Sequence, residues 1–122
     1  MPVEQKVDLP VNLTLQFPLA DGRELVRGPL TYNYDGLATF HVADFLKEER
    51  FKRAWLAGIG TGTQLSDFEN YWGVWIHCWA AQNAARLDGD LVDCGVYTGI
   101  SARAAAEYIA FENVPGKTWY LL

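Results

Sequence analysis

The sequence predicts a mixed α/β chain: an N-terminal antiparallel β-meander, two helices, and a closing β-α-β unit. Three observations carry this prediction. Apolar and polar residues alternate in the first third of the chain, apolar residues recur at helical spacing from Asp44 onward, and residues 89–122 run strand, glycine turn, Ala-rich helix, strand. At 122 residues the expectation is one domain at most, and with 50% apolar and 20% charged residues it reads as a soluble globular protein.

The meander occupies residues 1–43. Leu13, Leu15 and Phe17 alternate against Asn12, Thr14 and Gln16 over residues 12–19, the period of a half-buried strand. Residues 24–34 and 37–41 supply two more strands. Asp21-Gly22 and Asp35-Gly36 separate the three, and glycine accepts the positive φ that a tight hairpin turn requires. Gly28-Pro29 interrupts the second strand, because proline has no N–H to donate to a ladder.

Residues 44–88 form the helical segment. Phe45, Leu46, Phe51, Trp55 and Leu56 recur at spacings that fit a helix ending near Gly58. Lys47, Arg50, Lys52 and Arg53 gather there, but Asp35, Asp44, Glu48 and Glu49 surround or interleave them, so a solvated helix face is expected. The glycine-rich loop at 58–62 invites comparison with a phosphate loop, yet no Lys-Ser/Thr follows it and no strand precedes it. A hinge or lid is the better reading. Ser66-Asp67-Phe68-Glu69 has the form of a capping box, predicting a helix from there to about Leu87, closed by Gly89. Phe68, Trp72, Trp75, Ile76, Trp79 and Ala80 are expected to form its core face, with the alternative that one or two of these aromatics border a ligand pocket.

Residues 89–122 complete the chain: strand 91–94, turn 95–99, helix 101–111, a break at Pro115-Gly116 and strand 118–122. An acid at the carboxyl end of the first strand is followed by Gly-x-x-x-Gly and a small hydroxyl residue opening a helix. Such a turn is concave and its unpaired amides favour anions. Glycine at 95 and 99 lets a ligand approach the main chain without an intervening Cβ. The dinucleotide fingerprint Gly-x-Gly-x-x-Gly does not fit, because position 97 is Tyr.

The run Gly89-Asp90-Leu91-Val92-Asp93-Cys94-Gly95-Val96-Tyr97-Thr98-Gly99 resembles motif I of class I S-adenosylmethionine-dependent methyltransferases. With the aromatic-rich helix before it and Lys117-Thr118-Trp119-Tyr120-Leu121-Leu122 after it, residues 44–122 are similar to the N-terminal half of the macrocin O-methyltransferase (TylF-like) family. Asp93 stands where that family more often has Glu, and residues 1–43 have no counterpart in it. The resemblance implies that residues 89–122 are the first β-α-β unit of a Rossmann-like methyltransferase sheet. It implies S-adenosylmethionine as cofactor and a sugar or other small polar hydroxyl compound as acceptor. Carried over residue by residue, Asp93 would orient the methionine amino group, directly or through water, Gly95, Val96, Tyr97 and Gly99 would present backbone to the cofactor, and Ser101 would meet the methionine carboxylate. The family's catalytic base and metal-binding carboxylates belong to later strands, so no catalytic residue is assigned and any divalent metal would be held by residues this chain lacks. One β-α-β where a doubly wound sheet needs several leads to the expectation of a truncated chain, inactive alone.

Two other functions compete: a non-enzymatic interaction or assembly domain, and another kind of Rossmann-like nucleotide binder. A net charge of -5 argues against a nucleic-acid partner, and no apolar run reaches the length of a membrane span. The first residues lack a signal-peptide pattern, so a cytoplasmic location is expected. Exposed strand surface makes homo-oligomerisation plausible. Cys78 and Cys94 are expected to be two buried thiols, and neither they nor His41 and His77 have metal-ligand spacing, so no metal site and only structural or surface roles are expected of them.

Overall fold

A hairpin and a three-helix layer with a two-stranded parallel sheet make up the computed structural model, which describes residues 30–62 and 69–122. The fold is mixed α/β, and among the described residues it has three α-helices and two small sheets. The chain divides into two compact units, residues 1–43 and 44–122.

In the first unit, β1 (Tyr32–Tyr34) and β2 (Leu37–Thr39) pair antiparallel with Tyr34 opposite Leu37. The two residues between them, Asp35 at φ 50° and Gly36 at φ 72°, are both left-handed, the signature of the tight turn whose twist matches a hairpin. The expected strand over residues 12–19 and most of that over 24–34 lie outside the described residues.

The second unit opens with a 3₁₀ turn at Asp44–Lys47, then α1 (Glu49–Ile59). Phe51, Ala54, Trp55 and Gly58 are buried, a stripe at spacings of three and four. Gly58 therefore belongs to the helix and not to a flexible loop. A Cβ placed there would lie 2.7 Å from the Ile100 carbonyl oxygen, so glycine is what lets α1 approach α3 (Ile100–Ile109) closely. Ala54, Ala104 and Ala105 are fully buried and are small for the same reason. The basic cluster is solvated largely as expected: Lys47 pairs with Asp44 and Lys52 with Glu49. Arg50 differs, since its guanidinium lies 3.9 Å from the centre of the Tyr108 ring and donates to the Tyr108 carbonyl. Burial first, and Glu48 second, push the Tyr108 hydroxyl above its ordinary pKa.

Helix α2 (Tyr71–Ala84) departs from the sequence expectation in three ways. Its cap is Asn70, whose side-chain oxygen accepts from the Gly73 amide at 2.7 Å, whereas Glu69 precedes the helix and Ser66, Asp67 and Phe68 lie outside the described residues. It ends at Ala84, so Gly89 does not cap it. Its buried residues are Val74, Cys78 and Ala81, not the aromatic stripe: Ile76 is 44% and Trp79 54% exposed. The physical reason is the neighbour. Helix α3 presents a surface of alanines, and a narrow ridge of small and medium side chains packs into it better than a row of indoles. Trp72 and Trp75 instead cover Phe45, at ring-centre distances of 5.2 and 4.9 Å.

After α2 come β3 (Leu91–Asp93), α3 and, following a short 3₁₀ turn at Phe111–Asn113, β4 (Trp119–Leu121). Strands β3 and β4 run parallel with Leu91 opposite Trp119 and Asp93 opposite Leu121, so the expected β-α-β unit is present. Cys78 is fully buried, and that burial pushes its thiol pKa up to about 12. Cys94 is exposed, correcting the expectation of two buried thiols, because the strand ends one residue earlier and releases it to the surface. No helix among the described residues is long and apolar enough to cross a membrane.

Candidate site at the carboxyl end of the first parallel strand

Strand β3 is fixed at both ends. At its start, Lys117 donates to the carbonyls of Leu87 and Gly89, and the Asp90 carboxylate accepts from the Thr118 amide at 2.8 Å. At its end, the Leu122 amide donates to the Asp93 carbonyl at 2.9 Å, and the Leu122 carbonyl accepts from the amides of Gly95 and Val96 at 2.8 and 3.1 Å. These bonds hold the Asp93 main chain and the following turn in register with the sheet.

The turn itself is built from left-handed residues. Gly95 has φ 77°, Tyr97 φ 50° and Gly99 φ 84°, and the Gly99 amide closes the turn on the Val96 carbonyl at 2.9 Å. A Cβ at Gly95 would meet nothing within 4 Å, and one at Gly99 only a Val96 methyl at 3.9 Å. The glycines are thus required by backbone conformation, with open space above both. Tyr97 holds a left-handed conformation that a non-glycine residue adopts at a cost, and its side chain is 98% exposed. Gly99 precedes α3 without a side-chain cap, which leaves amides of the first helical turn without intrahelical partners. Ser101 lies in that turn, half-buried.

The structure therefore gathers all six expected site residues at one end of the β-α-β unit, with one difference in detail. The Gly95 and Val96 amides, which the resemblance offers to a cofactor, already donate to Leu122. The Gly99 amide closes the turn on Val96, and the start of α3 has no side-chain cap from Gly99.

Sequence reasoning missed His77. Its Nε2 lies 2.8 Å from Asp93 Oδ2, the side chains being 30% and 13% exposed. The expectation for His77 is a structural or surface role; the structure adds that its imidazole is paired with Asp93, the acid of the candidate site. The two help line an open pocket of about 220 Å³ between α2 and β3, whose other lining residues are Ala80, Ala81, Ala84, Asp90, Leu91, Val92 and Trp119. Asp93 is the member of the expected set that reaches this cavity; Gly95, Val96, Tyr97, Gly99 and Ser101 lie beyond it. Among the described residues no group of three or more His, Cys, Asp or Glu is arranged to hold a metal ion. No protein family, no curated protein and no solved structure matches the chain.

Proposed function

We propose that residues 89–122 are the S-adenosylmethionine-binding unit of an O-methyltransferase acting on a sugar or other small polar hydroxyl compound, with the strand, turn and helix as the opening of a Rossmann-like sheet. The observation that supports this best is the conjunction at one strand end: the Asp93 carboxylate, left-handed Gly95 and Gly99 with open space over them, and the amino end of α3. Ligands of open α/β sheets bind outside the carboxyl ends of the strands, where helix amides and dipoles favour anionic groups.

The residues fit the group in charge and shape. The Asp93 carboxylate suits the ligand's ammonium, while Ser101 and the free amides of the first α3 turn suit its carboxylate. Gly99, without a Cβ, allows close approach of the ligand to the main chain. When bound, the cofactor would supply a methyl group on a sulfonium. The protein's part is to bind and orient it at these atoms.

Isothermal titration of the chain with S-adenosylmethionine, S-adenosylhomocysteine and NAD tests the proposal. Binding of the two methionine derivatives and not of NAD is expected; preference for NAD would move the assignment to a different nucleotide binder. The assembly reading rests on a separate observation. Val92, Tyr120 and Leu122, on one face of the β3–β4 sheet by strand alternation, are 61%, 50% and 72% exposed. Concentration-dependent self-association without any cofactor binding would favour it.

A further inference from the structure

We infer that His77 is a positioning residue for the cofactor's ammonium group, holding the Asp93 carboxylate in its binding orientation through the Nε2 contact. This inference rests on the functional reading above. It concerns a residue of α2, outside the strand-turn-helix on which that reading was built.

The geometry is that of a carboxylate held from one side. Oδ2 of Asp93 faces His77 Nε2 at 2.8 Å, and among the described residues no hydrogen bond reaches Oδ1. One oxygen is thus committed to orientation and the other is left for a ligand. A neutral imidazole donating from Nε2 fixes the carboxylate rotamer and leaves its full negative charge.

The surroundings let this charge act. Helix α2 contains no Asp, Glu, Lys or Arg, so nothing charged on its own element competes with His77. Strand β3 contributes Asp93 to the pair, and Asp90, which precedes the strand, lines the same cavity with its carboxylate on the Thr118 amide. Strand β4 contributes the uncharged Trp119, and Lys117 is engaged with the carbonyls of Leu87 and Gly89. The walls from Ala80, Ala84 and Leu91 are apolar, which limits screening of the pair by water.

The test uses the whole chain and S-adenosylhomocysteine as probe, titrated calorimetrically. His77→Gln, which keeps an N–H donor for the Asp93 carboxylate, should bind as tightly as the unaltered chain. His77→Leu, which has no donor, should bind several-fold more weakly. Equal losses in His77→Gln and His77→Leu, or unchanged affinity in His77→Leu, overturn the inference while leaving the functional reading intact. Absence of binding by the unaltered chain overturns both together.

Discussion

Replacing Gly58 by alanine should destabilise the chain, although alanine is the better helix former. In an ordinary helix interior the exchange would stabilise by about 1 kcal/mol. Here the added Cβ would stand 2.7 Å from the Ile100 carbonyl oxygen, 3.1 Å from the Ala104 Cβ and 3.3 Å from an Ile100 methyl. Carbon-to-oxygen contacts between packed helices settle at about 3.3 Å or more. The helices must therefore separate by roughly 0.6 Å, the difference between that distance and 2.7 Å. The closest atom is main chain and cannot rotate aside. Overpacking of this kind costs about 1–3 kcal/mol, so a net loss of about 1 kcal/mol, and at most about 2, remains after the gain in helix propensity. Gly60→Ala is the control. Its φ is -62°, and the nearest atoms to a Cβ are carbonyls of its own turn at 3.3 and 3.5 Å, so a change within about 0.5 kcal/mol or a small gain is expected. Urea unfolding of the two variants and the parent, followed by tryptophan fluorescence, supplies the comparison. If Gly58→Ala unfolds at the same or higher urea concentration than Gly60→Ala, the close approach of α1 and α3 is refuted.

Asn70→Ala should lower stability by about 1 kcal/mol, because the Gly73 amide loses the side-chain oxygen that caps α2; urea unfolding would read this, and an unchanged midpoint would count against the cap. Alkylation by iodoacetamide should modify exposed Cys94 in the folded chain and Cys78 only on unfolding, as peptide mass mapping with and without urea can show. Cys78 also gives stability a pH dependence: its thiol is pushed by burial up to about 12, above the unfolded value of about 8.5. The folded state therefore keeps a proton that the unfolded state releases, and stability should decline as pH rises from about 9 toward about 12, an effect that Cys78→Ala should remove. On the proposed function, Gly99→Val should weaken S-adenosylhomocysteine binding far more than Gly60→Val, since φ 84° disfavours a β-branched residue in the turn proposed to meet the ligand; equal losses would shift the site toward the glycines after α1.

Local signals in the sequence translated faithfully where one segment determines its own conformation. Asp35-Gly36 predicted a hairpin because both residues tolerate the left-handed region, and both adopt it. Gly95 and Gly99 stand out for close approach to the main chain, and the structure adds that both adopt the left-handed region; the parallel pairing of two short apolar runs across an Ala-rich helix was legible as expected. Where the outcome depended on a neighbour, the sequence was ambiguous. Gly58, Gly60 and Gly62 read alike as loop glycines, yet Gly58 is a contact surface for α3, Gly60 a right-handed helix cap and Gly62 a left-handed turn residue. The aromatic stripe of α2 was misread because large apolar residues dominate a hydrophobic pattern, while the partner surface on α3 is made of alanine and accepts Val74, Cys78 and Ala81 instead.

His77 shows why the candidate site was only half legible. Asp93 announced itself through its place between a strand and a glycine turn, a pattern contained in a few consecutive residues. His77 lies sixteen residues earlier, in a helix with no other feature of catalytic or ligand chemistry, and no spacing rule links position 77 to position 93. Their meeting depends on α2 burying its Val74, Cys78 and Ala81 ridge. His77, three residues after Val74, falls one step to the side of that ridge, and the helix rotation that hides the ridge also turns the imidazole toward the end of β3. Had the aromatic stripe been the buried face, Trp72, Ile76 and Trp79 would have pointed inward and the angular position of His77 would have changed with them. The same packing choice therefore decides two things at once: which hydrophobic residues remain exposed on α2, and whether Asp93 has a histidine beside it.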